Sequence, residues 1–188
     1  MTAFQEQARN VLHWHSMAAK LHAAAKVIQR EIQSDEKRLL DAQQSAGTIF
    51  SSHEIPAFQL VPAFGLLAAF ALENLLKGIL IQRTPALVLE HGLHKSLATH
   101  RLLPLARRAG FKPDAVETFF LQAATENSTW AAKYPTPKHP PGRTFTWAFS
   151  QADFIAFDRL YSSFETNLAR GGISNVTYQI IGPRRYPR

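Results

Sequence analysis

The sequence of 188 residues predicts an all-α fold, an antiparallel up-and-down bundle of four to five helices. Three observations carry that expectation. Apolar residues recur at three- and four-residue spacing in five separate segments. Sustained apolar–polar alternation, the mark of a half-buried strand, is missing; only "SNVTYQII" near the C-terminus reads as a short extended piece. The connections are punctuated by proline and glycine, and most are short, which suits antiparallel neighbours.

The first helix is expected over residues 3–43, where Trp14, Met17, Leu21, Ala25, Ile28 and Ile32 make one apolar stripe and Lys20, Lys26, Arg30 and Glu31 the outer face. The tract "DAQQSAGTIFSSHEIPAF" breaks the pattern with Gly47, serines and Pro56 and reads as a loop. Pro62 then suits the first turn of a second helix, because its missing N–H costs nothing there. That helix, "PAFGLLAAFALENLLKGILIQ", is apolar on all sides, so it belongs in the core, and it ends before Pro85. The stretch "ALVLEHGLHKSL" reads as a helical turn plus loop. A third helix spans about residues 97–109 and stops at Gly110. Pro113 opens a fourth, with Val116, Phe119, Phe120, Ala123, Asn127 and Trp130 on one face. The connection "AKYPTPKHPPGRTFTW" holds too many prolines for a helix, and its Tyr134 and Trp147 suggest a loop packed on the body. A fifth helix over residues 151–170 carries Phe154, Phe157, Tyr161, Phe164 and Leu168 on one face and ends at Gly171 and Gly172.

A chain of this length, 46% hydrophobic and 19% charged, is expected to form one domain, residues 1–172, followed by a basic tail, 173–188. Zero cysteines exclude disulfides, thiolate metal sites and cysteine nucleophiles, and fit a reducing cytoplasm. The N-terminus lacks a basic start followed by an apolar stretch, and the longest unbroken apolar run, 60–72, is shorter than the roughly 20 residues needed to cross a bilayer. The expectation is a cytoplasmic protein with no membrane partner. The net charge of +7 is uneven: between 83 and 112 lie Arg83, Lys95, Arg101, Arg107, Arg108 and Lys112 against Glu90 alone. Such a field attracts phosphates, so RNA or a nucleotide is the partner class to weigh against a merely solvated basic face.

Glu73, Asn74 and Lys77 interrupt the greasiest helix. Glu73 and Lys77 are four apart with the Glu first, the favourable order for a pair on one face. On a surface that pair would contribute about 0.3–0.5 kcal/mol; inside a core neither charge is tolerable without a partner. Two readings stand. One is an internal ion pair that fixes helix register, and the other is the edge of a cleft that takes a phosphate or a base. Either way Glu73, Asn74 and Lys77 are expected to face His100 and Tyr134 across a polar seam.

The order "AFALENLLKGILI", "HRLLPLARRAGF", "WAAKYPTP" resembles the HEPN superfamily (higher eukaryotes and prokaryotes nucleotide-binding domains) over about residues 10–170. The matching positions are Glu73 and Lys77 for its Glu-x-x-x-Lys, His100 with Leu102 and Leu105 for a His-x-Leu-x-x-Leu segment, and Lys133, Tyr134 and Pro135 for an aromatic–basic element. The resemblance implies a bundle of four or five helices, often dimeric. It also implies either a metal-independent ribonuclease of a toxin–antitoxin or phage-defence system or a non-catalytic partner of a nucleotidyltransferase. The ribonucleases carry an Arg, four to six residues and a His on a later helix. Here only Arg9 and His15 have that spacing, and they lie on the first helix.

Among other constellations, His100 followed by Arg101 in the most basic segment could act as general acid or base beside a charge-stabilising cation, with Lys77 a further candidate; the competing role for His100 is a cap or a bond into the Glu73–Lys77 network. Asn127, Trp130, Lys133 and Tyr134 could stack and hold a base, or anchor the core. His91, His94 and His100 with Glu90 have too little rigid framing for zinc, and His13, His15 and His22 do not converge. No metal and no cofactor is expected, and no motif for a kinase, polymerase or hydrolase is present. The function expected is therefore a nucleotide- or RNA-interacting, homodimeric module without assigned catalytic residues, working with a nucleotidyltransferase or antitoxin partner. Its alternatives are a metal-independent ribonuclease with a non-standard site and a purely structural dimer.

Overall fold

The computed structural model describes residues 1–46, 56–131 and 150–171. These hold six α-helices and no strand. They are α1 (Ala3–Arg9), α2 (Val11–Ala46), α3 (Pro56–Arg83), α4 (Leu102–Arg108), α5 (Ala115–Glu126) and α6 (Gln151–Arg170). A 3₁₀ turn, Pro85–Leu87, follows α3, and a π-turn, Asn127–Ala131, continues α5. The tail at 173–188, the proline-rich connection and the side chain of Trp130 lie outside the described residues.

The side-chain pairings give the helix directions. From α2 to α6, His15 meets Glu165, Lys26 meets Asp158, and Gln33 meets Gln151, so the two run antiparallel. From α3 to α6, Phe64 stacks edge-on with Phe154, and Gln82 donates to the Leu168 carbonyl, so those two run parallel. In α5, Asp114 reaches Arg159 while Phe120 faces Phe157, again antiparallel to α6. Helices α2, α3, α5 and α6 therefore alternate up and down as the sequence predicts, with α1 and α4 as short additions.

At the centre lies α3, against α2, α4, α5 and α6. Phe64, Leu72, Leu75, Leu76 and Ile79 are fully buried along it, and the aromatic face of α6 closes on it with Phe154, Phe157, Tyr161, Phe164 and Leu168, as expected. Each such side chain removed from water contributes about 1.5–3 kcal/mol. By length and composition Gln59–Arg83 could cross a membrane, contrary to the expectation from unbroken apolar runs, but 78% of its most apolar window is buried inside the bundle. That is how the core helix of a bundle looks.

Several boundaries differ from the sequence expectation. The first helix breaks at Asn10, whose side chain accepts the Leu12 N–H and so competes with the helical ladder. In α2 the buried positions are Ala18, Ala25, Gln29 and Ile32, while Met17 is exposed. The second helix begins at Pro56 and not at Pro62, which sits inside it and leaves one carbonyl without an intrahelical donor. The third begins at Leu102 and not near 97, so His100 precedes it. On α5, Val116 and Phe119 are exposed, and the buried face is Phe120, Leu121, Ala123 and Ala124.

The caps are legible chemistry. Asp114 accepts the Glu117 N–H and Glu117 returns to the Asp114 N–H, a reciprocal capping box at the start of α5. Ser150 donates its N–H and hydroxyl to Asp153 at the start of α6. After α4, Gly110 takes φ 81°, a conformation that disfavours any other residue.

Candidate functional site

Of the expected polar seam, Glu73, Lys77 and His100 come together, and α3 supplies the first two. Glu73 and Lys77 sit one turn apart on the same face, so the Lys77 Nζ donates to Glu73 Oε1 at 2.7 Å. Both residues are over nine-tenths buried, at 6% and 8% exposure, in a helix otherwise lined by leucines. The second carboxylate oxygen, Oε2, is 2.8 Å from His100 Nδ1. Both oxygens of a buried carboxylate are thus engaged, the condition under which such a charge is tolerated.

His100 is held by the segment between α3 and α4. The 3₁₀ turn leads into a tight reversal in which Val88 and Leu93 form an isolated bridge and the His94 N–H bonds the Leu87 carbonyl. Thr99 Oγ1 accepts the Arg101 N–H, and Thr125 Oγ1 on α5 accepts the Leu102 N–H. These bonds fix the chain on both sides of the ring. Phe70 lies against the imidazole at 6.0 Å between centroids. With Nδ1 directed at the carboxylate, the remaining nitrogen, Nε2, has no partner among the described residues, and the side chain is 49% exposed. A carboxylate that orients an imidazole in this way sets which nitrogen faces outward.

Other expected members are elsewhere. Asn74 follows Glu73 by one residue, a turn of about 100° around the helix axis. It donates instead to the Phe70 carbonyl at 2.7 Å and lines a different pocket with Trp14 and Met17. Asn127 is buried at the α5–π junction and packs against Gly65, where a Cβ would come within 2.8 Å of its amide carbon. Eight residues separate Gly65 from Glu73, about 12 Å along the helix, so Asn127 is not part of the seam. Lys133 and Tyr134 lie outside the described residues.

Arg9 and His15 are engaged separately: Arg9 Nη2 donates to the Val88 carbonyl, and His15 Nε2 lies 3.0 Å from Glu165 Oε1. No group of three or more His, Asp or Glu suited to a metal occurs among the described residues.

The basic segment divides in two. Arg83 is structural, donating to the Ala109 carbonyl at 2.7 Å and to Asn167 Oδ1 at 2.8 Å, and Arg108 donates to the Ser96 carbonyl. Arg101 and Arg107 instead line a cleft of about 530 Å³ between α4 and α5, with Leu103, Pro104, Gln122, Thr125 and Glu126. Neither guanidinium has a hydrogen-bond or ion-pair partner among the described residues. Sequence reasoning finds Arg101 but not Arg107, Gln122 or Glu126 as members of one site. Only the packing of α4 on α5 brings them together, and the amphipathic spacing of Leu102, Leu105 and Ala106 is the one signal of which way α4 turns.

Comparison with family models, curated proteins and solved structures gives no match for this chain.

Proposed function

We propose that this chain is a HEPN-like helical module that engages the phosphates of RNA or a nucleotide without turning them over. The observation that carries the reading is the pair of guanidiniums, Arg101 and Arg107, that line one cleft and have no partner among the described residues. Arginine forks match phosphate oxygens in geometry and charge, and a net charge of +7 favours the encounter. In this reading the Glu73–Lys77–His100 seam supports the cleft by fixing the segment that delivers Arg101. A cytoplasmic setting, a homodimer and a nucleotidyltransferase or antitoxin partner in a toxin–antitoxin or phage-defence system belong to the same proposal.

A second reading, metal-independent RNA cleavage, is favoured by one specific feature: the Glu73 carboxylate orients His100 so that Nε2 is presented outward. A general acid or base needs that orientation. The test is binding and cleavage of a labelled mixed-sequence RNA in EDTA by the wild type, Arg101→Ala/Arg107→Ala and His100→Ala. Binding that the double arginine variant loses, with no cleavage by any protein, supports the module. Cleavage that His100→Ala abolishes replaces it with the ribonuclease. Neither binding nor cleavage by the folded wild type leaves a structural dimer.

A further inference from the structure

Asn74, excluded from the seam, belongs to a second site. It lines a pocket of about 310 Å³ with Phe4, Gln7 and Ala8 of α1 and His13, Trp14 and Met17 of α2. The volume is at the small end for ligand pockets, roughly 300–1,000 Å³, which suits one ring system and not a large cofactor.

The lining is aromatic and amide, with no carboxylate, lysine or arginine. Trp14 is not a free rotor: its indole N–H donates to the Ala8 carbonyl at 2.8 Å, so the ring is a fixed face. Phe4 and Met17 are 41% and 48% exposed, an apolar rim open to solvent. The Asn74 amide is fixed as well, because one N–H is held by the Phe70 carbonyl. That orientation leaves Oδ1 as an acceptor and the other N–H as a donor on a rigid helix. The side chains of Gln7 and His13 make no hydrogen bond among the described residues.

We propose that this pocket binds a nucleobase, stacked on Trp14 and read at its edge by the Asn74 amide. A purely apolar ligand that covers Asn74 would leave the free half of its amide unpaired, which disfavours it. A phosphate finds no lysine or arginine here. A planar nitrogen heterocycle satisfies both halves of the lining: its π-face suits the aromatic wall, and an asparagine amide can pair with the donor–acceptor edge of adenine. The site lies on a different face of α3 from the seam and stands apart from the arginine cleft, so it neither requires nor restates phosphate binding there.

The test is calorimetric titration of the full chain with adenosine, which carries no phosphate, and with ribose 5-phosphate, which carries no base. Adenosine is expected to bind and ribose 5-phosphate not to compete. Asn74→Leu should weaken adenosine by about tenfold, the loss expected when a fixed hydrogen-bonding pair is removed. Met17→Lys, a change at an exposed rim position that the fold tolerates, should weaken it too, while Arg101→Ala/Arg107→Ala should leave it unchanged. No adenosine binding by the folded wild type overturns the proposal. So does binding that neither Asn74→Leu nor Met17→Lys alters, and so does competition by ribose 5-phosphate. None of these outcomes bears on RNA retention by the arginine cleft, which the RNA assay reads independently.

Discussion

Removing the Lys77 ammonium is the most informative single change in the polar seam. Lys77→Met keeps the side-chain length and deletes the charge, leaving the buried Glu73 carboxylate with His100 as its one remaining partner among the described residues. Breaking a buried pair from one side costs about 3–5 kcal/mol, and the surviving His100 bond places the expected loss near the lower figure, about 3 kcal/mol, read as a lower urea midpoint with unchanged slope. The double variant Glu73→Leu/Lys77→Met should recover most of that loss, since no orphaned charge remains. The pairing of Glu73 with Lys77 is legible in the sequence because helix geometry alone places residues four apart side by side. Asn74 misleads for the same reason: adjacency in sequence suggests a shared site, but one step around the helix turns the side chain toward α1 and α2. The link to His100 crosses 27 residues of chain, and only the basic composition around it hints at the meeting.

Between elements, the α2–α6 seam carries a pH dependence of its own. His22 stacks on Tyr161 at 3.7 Å between ring centroids and lies near Phe157. Burial, the largest influence, lowers its pKa from 6.5; Lys26 pushes the same way, while Asp158 and Glu165 oppose it. The folded chain therefore holds His22 neutral at a pH where the unfolded chain binds a proton. The stability this contributes is present above the unfolded value of 6.5 and is lost as pH falls through the lower folded value. Thermal midpoints should thus decline as pH falls below 6.5, and His22→Phe, which keeps the stack, should flatten that decline. Asp114, lowered chiefly by the Glu117 N–H, acts in a separate window, its contribution lost only as pH falls below 3.8.

The aromatic face of α6 is readable from spacing because every core position obeys the helical period. The helix starts are less so. Pro104 in an interior position would clash with the carbonyl of His100 and remove a bond, so it marks Leu102 as the start of α4, a signal present in the sequence. Pro62 carries the same chemistry yet is accommodated within α3, where the packing around the helix outweighs the lost bond. Local rules place both prolines at helix starts; tertiary packing decides between them.

For the whole molecule, the fold class follows from composition and period, but each candidate site is assembled from more than one helix, with Phe4, Trp14 and Asn74 at one and Arg101, Arg107 and Gln122 at the other. That assembly is why neither can be read from any single segment. It also gives the two sites opposite physics. A cleft that neutralises phosphates with two guanidiniums releases counterions, so RNA affinity should fall with salt, and Arg101→Ala/Arg107→Ala should reduce the slope of log K against log salt by about 1.4, at roughly 0.7 per phosphate on single strands. The pocket at Asn74 has no lysine, arginine or carboxylate in its lining and adenosine carries no charge, so adenosine affinity should stay flat over the same salt range. The two titrations on one preparation separate the sites without any mutation. A steep RNA slope with flat nucleoside binding is the expected pattern, because a net charge of +7 acts at a distance only on charged ligands. Nucleoside binding that weakens in step with RNA would instead mean that the base and the phosphate are held by one surface, and the division of labour between the Asn74 pocket and the arginine cleft would have to be abandoned.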